Sequence, residues 1–253
     1  MDIFLSFYNE VIWRPLFNGL IWIYTASGTD FGVAIILFTL VFRAVFFPLH
    51  WKARNAQKNL ALIQPEMKRI QERFKNDREG QGRALMELYA KNKVNPFSGC
   101  LPLLIQLPVL IALFQIFRNG FDPTLLTYLY SFVPNPGNVN PIAFGFLDLA
   151  KGSIYLGFVA AVAQFIQTKI TAPPPAPPSD KPDFAHIMQK QMLYLFPLLV
   201  LWWSYSLPAA LTLYWTFLNI FGIVQDTIVN RIMKKKEKIV DTANQYGHTH
   251  TDK

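Results

Sequence analysis

Polar and apolar positions follow two regimes along this chain. Some runs approach 20 residues with almost no charge; other stretches put charged residues around one side of a helical repeat. Five runs are of the first kind: residues 31–49 (FGVAIILFTLVFRAVFFPL), 96–117, 153–168, 192–206 and 207–229. About 20 apolar residues are what a helix needs to cross the hydrocarbon layer of a bilayer. The third run is short and contains Gln164 and Gln167, so it spans only where neighbouring helices cover those amides. The last two runs are one apolar stretch too long for a single crossing, and Pro208 marks the reversal between them. The pattern predicts an all-α polytopic membrane protein, a five-helix transmembrane bundle.

The segments between the runs have their own periodicities. In residues 1–27, Asp2, Ser6, Asn9, Glu10 and Asn18 recur opposite Leu5, Tyr8, Ile12 and Leu16, which predicts an amphipathic helix lying in the outer interface. Glu10 and Arg14 are spaced to pair; a sixth span is the alternative. No basic stretch precedes the apolar part and no small-residue cleavage pattern follows it, so this segment is expected to stay on the mature chain. Residues 50–95 predict a helical hairpin. Pro65 and Glu66 suit a helix start, Met67, Ile70 and Phe74 share a face, residues 76–82 break the pattern, and Leu85, Leu88 and Tyr89 resume it. Residues 170–190 form a proline-rich loop whose Ala172–Pro178 segment is a stiff spacer. Residues 232–253 form a basic tail.

Composition sharpens this picture. With 52% apolar and 16% charged residues, a disordered chain is excluded and a soluble enzyme disfavoured. Twenty of the 24 Lys and Arg fall in residues 50–95, 169–190 and 231–253, whereas Arg14, Arg118 and Lys151 fall on the other side. By the positive-inside rule the N-terminus faces outward, and the hairpin, the proline-rich loop and the C-terminus are cytoplasmic, in a multi-pass protein of the cell membrane. The net charge of +8 is then a topology signal, and DNA binding does not follow from it. The hairpin's own excess of six positive charges favours anionic lipid headgroups or a large polyanion, with a solvated face as the plainer alternative. The cluster Lys234–Lys238 anchors topology first and has ribosomal RNA as a second candidate contact. The lone Cys100 reads as a small buried residue. His248 and His250 are too few for a metal site, and no metal or cofactor is expected. With no nucleotide motif, paired aspartates, Ser/His dyad or HExxH in the spans, the chain is not read as an enzyme.

One feature of the spans stands out. Arg43 lies twelve residues after Phe31, about 18 Å along a helix. A guanidinium at that depth costs about 2.5 kcal/mol or more, so it should face protein or water and have a use. The spans contain no Asp or Glu except Asp226, which favours an Arg43 solvated by water and polar side chains over a simple pair with Asp226. The candidate neighbours are Gln164 and Gln167 at i, i+3, a stripe of Thr212, Thr216 and Asn219 with Trp215 beside it, Gln225 further in, and Gln106 on the second span. Converging on Arg43, they would make a hydrophilic pocket within the membrane. Taken singly, each reads better as an interhelical hydrogen bond holding the bundle together.

These residues also resemble a known family. Ile63-Gln64-Pro65-Glu66-Met67-Lys68-Arg69-Ile70, Asn95-Pro96-Phe97-Ser98-Gly99-Cys100-Leu101-Pro102 running on to Pro108, and Leu207-Pro208-Ala209-Ala210-Leu211 with Tyr214, Trp215 and Asn219 are similar, in the same order, to segments of YidC-type (YidC/Oxa/Alb) membrane protein insertases. The likeness runs from about residue 28 to 231 and fits the short five-span form; the proline-rich loop departs from it. The resemblance implies an insertase and folding chaperone for newly made membrane proteins, working alone or beside the Sec translocon, with the ribosome, the signal recognition particle pathway and membrane lipids as partners. It further implies a groove open to cytoplasm and lipid, with Arg43 as its arginine and Gln167 and Trp215 on its wall. The second and fourth runs would be a hydrophobic slide for the emerging helix. From the residues alone, a small-anion transporter or channel using Arg43 is the alternative, and solute flux into empty vesicles would separate the two.

Overall fold

The computed structural model describes the backbone of residues 2–95, 101–119, 122–172 and 190–249, and the side chains of 5–95, 106–119, 122–172 and 190–233. Cys100, its neighbours 96–99 and the proline-rich segment 173–189 lie outside the described residues. The fold is almost wholly helical. A first helix runs through α1 (Asp2–Tyr8), one π-helical turn (Asn9–Trp13) and α2 (Arg14–Ala26). Gly28 (φ 82°) and Thr29 (φ 65°) reverse the chain in left-handed conformations. Asp30 then caps α3 (Phe31–Val45), accepting from Gly32 N at 2.8 Å and Val33 N at 3.0 Å.

The run read as a single span over residues 31–49 is broken. α3 ends at Val45, and α4 (Phe47–Leu62) leaves it at 60°. Pro48, in the first turn of α4, has no N–H to give and its ring would clash with the Ala44 carbonyl in a straight helix; Phe46 takes up the bend at φ −88°, ψ 4°. α5 (Gln64–Arg73) and α6 (Arg78–Lys91) pack together as the helical hairpin. The break between them is shorter than the polar run 76–82, because Asp77 caps α6 by accepting from Gly80 N.

α7 (Leu101–Asn119) is followed by a 3-10 turn (Pro123–Tyr128) and a two-residue antiparallel ladder, β1 (Ile142–Ala143) with β2 (Leu147–Asp148), in register Ile142 to Asp148. Beside this ladder Lys151 donates to Asp148 at 2.8 Å and holds its carboxyl below the usual carboxylate range. α8 (Ile154–Thr171) is capped by Ser153. A π-helical turn (Gln191–Leu195) leads into α9 (Phe196–Ser206); Leu207 is extended, Pro208 follows, and α10 (Ala209–Thr249) runs back. The reversal falls where Pro208 was expected to put it. α10 continues without a break past residue 232, where the basic tail was expected to begin, to Thr249.

The core gathers at one end of the bundle. Phe17, Leu20, Ile21 and Tyr24 of α2 meet Phe31 and Ile35 of α3, Leu113 and Phe117 of α7, Leu149 of the connection and Tyr214 of α10. The first helix is therefore not simply an interfacial one: its second half is packed into the core. Asn18, assigned to the polar face, is buried. Its amide donates to Arg14 O (2.8 Å) and Tyr128 O (3.2 Å) and accepts from Tyr130 N (2.6 Å), so it satisfies the backbone of the 122–149 connection. The Glu10–Arg14 pair is formed at 3.1 Å.

Outward, α3 exposes Leu37, Leu40, Val41 and Val45, and α8 exposes a helical stripe of Tyr155, Phe158, Val159, Val162 and Ile166. Contiguous apolar stripes of this kind need an apolar solvent or a partner. Among the described residues one helix, α8, is long and apolar enough to cross a membrane by itself; α3 and α4 pass the same test only as a bent pair. Five spans were expected, the third of them short. For the first and fourth runs the difference is one of segmentation, because a proline and a π-helical turn divide them into pieces, α3 of 15 residues and α9 of 11, about 22 and 16 Å long; α7 is an unbroken helix of 19 residues.

Candidate functional site

Away from the core the helices part around an open cleft of about 390 Å³. Arg43, in the last turn of α3, reaches into it. Its Nη1 donates to Gln225 Oε1 at 3.2 Å and its Nη2 to Leu218 O at 2.7 Å, while its buried Nε has no partner among the described residues. The guanidinium therefore meets neutral oxygens. Gly222 makes the approach possible: a Cβ there would lie against Arg43 Nη2 and the amide of Gln167.

The carboxylate that might have neutralised Arg43 is already engaged. Asp226 is fully buried and its Oδ1 lies 2.8 Å from His50 Nε2 and 3.1 Å from Arg54 Nε; the Arg54 contact is close enough for an ion pair without being aligned as a hydrogen bond. Arg54 also donates to Gln57 Oε1, to Thr171 O and to Asn230 Oδ1, at 2.9, 3.1 and 3.1 Å.

Of the residues singled out from sequence, Arg43, Gln106, Gln164, Gln167, Trp215 and Asn219 all line this cleft. Gln164 serves as both wall and glue: it accepts from Trp215 Nε1 at 2.9 Å and donates to Thr168 Oγ1 at 3.0 Å. Gln106 donates to the Tyr214 hydroxyl at 2.9 Å. The buried Nδ2 of Asn219 is left without a partner among the described residues. Thr216 does not belong with them. One residue past Trp215, it is turned about 100° round the helix, is buried, and gives its hydroxyl hydrogen to Thr212 O at 2.8 Å, as helical threonines commonly do.

His50, Arg54 and Gln57 were not anticipated, although their i, i+4, i+7 spacing puts them on one face of α4 and all three line the cleft. That spacing was the available signal. It was masked because His50 sits at the edge of an apolar run while the other two lie in a stretch dense with charge.

A second groove, about 510 Å³, runs beside the first between α7, α9 and α10, with Leu107, Leu110, Ile111, Phe114, Val200 and Trp203 among its walls. Gln106, Phe196 and Trp215 line both hollows, and the Phe196 and Trp215 rings lie 5.9 Å apart. A cleft with several polar groups in its wall and an almost wholly apolar groove thus share an aromatic pair.

Residues 22–237 match the model of the 60Kd inner membrane protein family. The chain belongs to that family. Relatives named membrane protein insertase YidC include the one from Leptospira interrogans, 34% identical over 238 residues, covering 91% of this chain and 36% of that protein. The one from Pelobacter propionicus is 33% identical over 231 residues (88% and 39%), and the one from Treponema denticola 34% over 214 residues (81% and 35%). The chain thus spans little more than a third of the length of these 60Kd-family relatives. The family match takes in α3 through the cleft-lining part of α10, so every residue of the cleft named above lies within it.

Proposed function

We propose that this chain is a membrane protein insertase that moves newly made membrane proteins into the cell inner membrane and helps them fold there, without catalysing a chemical reaction. The observation that carries this reading is Arg43 in an open cleft with amide groups in its wall, held by neutral oxygens, beside an apolar groove. Five spans carry it: α3 with the start of α4, α7, α8, α9 and the first half of α10. The N-terminus is outside; the α5–α6 hairpin, the proline-rich segment after α8 and the C-terminus are cytoplasmic, in keeping with the lysine and arginine distribution.

A polar tail entering from the cytoplasm faces hydrocarbon roughly 30 Å thick. The cleft shortens that path, and the packed core at the other end closes it. Arg43 offers an acidic residue of the tail a counter-charge, with Gln167, Trp215, Gln106, Gln164 and Asn219 as the polar wall. Thr216 supports the helix behind that wall. The client's helix then moves over the apolar groove into lipid, favoured by about 25 cal/mol for each Å² of apolar surface removed from water. The basic hairpin and tail receive the ribosome, and the Sec translocon and the signal recognition particle pathway are the partners through which clients arrive.

Purified chain reconstituted into vesicles is expected to translocate the tail of a single-span client, scored by protection from added protease, and to crosslink to that tail from a photoreactive side chain at Gln167. Protection equal to that of empty vesicles would refute the reading. Gly222→Ala should leave stability within about 1 kcal/mol, because the atoms in the way are the ends of flexible side chains. It should nevertheless lower insertion of acidic-tailed clients, because it displaces Arg43 and Gln167 together.

A further inference from the structure

α4 is loosely attached to the bundle by apolar packing. Ala53 is its one buried residue, whereas α2 and α3 bury five and six residues each. α4 also packs against α7, but what ties it to α8 and α10 among the described residues is polar. His50 and Arg54 converge on Asp226 of α10, and Arg54 also reaches Asn230 of α10 and the carbonyl of Thr171, the last residue of α8. That carbonyl has no partner within its own helix, so a cation is well placed there. The 60° bend at Phe46 lies just before these residues of α4, four positions ahead of His50, and beyond the far end of α4 hang α5, which buries no residue, and α6, which buries only Leu88. A bend, a sparsely packed arm and one buried charge cluster at the rim of the cleft are the parts of a latch.

We propose that Asp226, through His50 and Arg54, latches α4 and its hairpin across the mouth of the cleft, so that Asp226 is a positioning residue for whatever enters there. Removing its charge frees α4 to swing about Phe46, because the partly buried Arg54 then regains water more easily than it stays covered without a counter-charge, and His50 loses its carboxylate partner. The same arrangement explains why Arg43 keeps its charge available: the carboxylate nearest to it is occupied by the latch. The consequence for insertion rests on the cleft being the client's path; the latch itself does not.

The test is a pair of spin-label distances in the full chain, in lipid nanodiscs, with Cys100→Ser as background. One pair, Leu62→Cys with Ile232→Cys, joins the end of α4 to α10, and both positions are exposed. The other, Leu37→Cys with Val159→Cys, lies within the bundle on exposed sites of α3 and α8. Asp226→Asn is expected to at least double the width of the first distribution and leave the second as in the wild type, and Arg54→Gln to do the same from the α4 side. Asp226→Glu, which keeps the carboxylate, should retain the wild-type width. An unchanged first distribution in Asp226→Asn overturns the proposal. Equal broadening of both pairs also overturns it, since the cluster would then hold the bundle and not the arm. Neither distance depends on a client, so a wild-type chain that fails to insert proteins would refute the proposed function and leave this result standing.

Discussion

Replacing Arg43 with alanine is expected to lower insertion of a client with an acidic outer tail by roughly 10- to 100-fold while leaving a client with a neutral tail nearly unaffected. The range follows from a hydrogen bond to a charged partner, about 1.5–3 kcal/mol in a partly wet site, at about 1.4 kcal/mol per factor of ten. Stability should not fall in parallel. Arg43 donates to Leu218 O, which belongs to the α10 helix ladder, and to Gln225, which lines the open cleft, so its removal orphans no sealed group. Arg43→Lys keeps the charge and should stay near wild-type activity. Tail protection for both clients, with melting of each variant, checks all three statements; an alanine variant that inserts the acidic client as well as the wild type would remove the charge from the mechanism.

The second large effect is on the scaffold. Gly157→Leu is expected to destabilise the protein by at least the roughly 1–3 kcal/mol usual for overpacking, because the first carbon of the new side chain already overlaps Ser204 where α8 and α9 meet. At Gly157 even a Cβ would overlap Ser204, with the Leu201 carbonyl 3.5 Å away. At Gly152 it would meet the Tyr205 and Ser204 carbonyls. Ser153 N donates to Ser204 O at 3.0 Å between these two glycines, so α8 and α9 touch backbone to backbone, as small residues permit in membrane bundles. Gly157→Ala should show a smaller loss, most of it recovered by adding Ser204→Gly. Thermal unfolding in detergent measures the cycle, and a purely additive double variant would show that the two sites do not share a contact.

Much of the element pattern was legible because it depends on local chemistry. Pro208 ends one helix and permits another, and Pro65 with Glu66 starts α5, each through interactions within a few residues. The segmentation of the apolar runs was harder to read. Hydropathy counts Phe46, Phe47 and Pro48 as part of one span, yet the missing N–H and ring of Pro48 break that span at the point where the chain turns by 60°. Asn18 escaped for another reason. Its amide satisfies carbonyl and amide groups more than a hundred residues away, and no helical period carries that information.

The cleft divides in the same way. Sequence alone determined that a guanidinium sits in an apolar helix with one carboxylate among the spans to answer it, because composition and desolvation energy are enough to make that cation conspicuous. It also determined which amides and which indole were available as neighbours. Only the tertiary structure decided that Asp226 belongs to His50 and Arg54 and not to Arg43. It likewise decided that Thr216 turns away from the cleft and that the core closes one end of the bundle while the other stays open. Pairing among buried charges is settled by distances of a few ångströms between helices remote in sequence. A pattern along one helix fixes which side a residue occupies, but only packing fixes what stands opposite it.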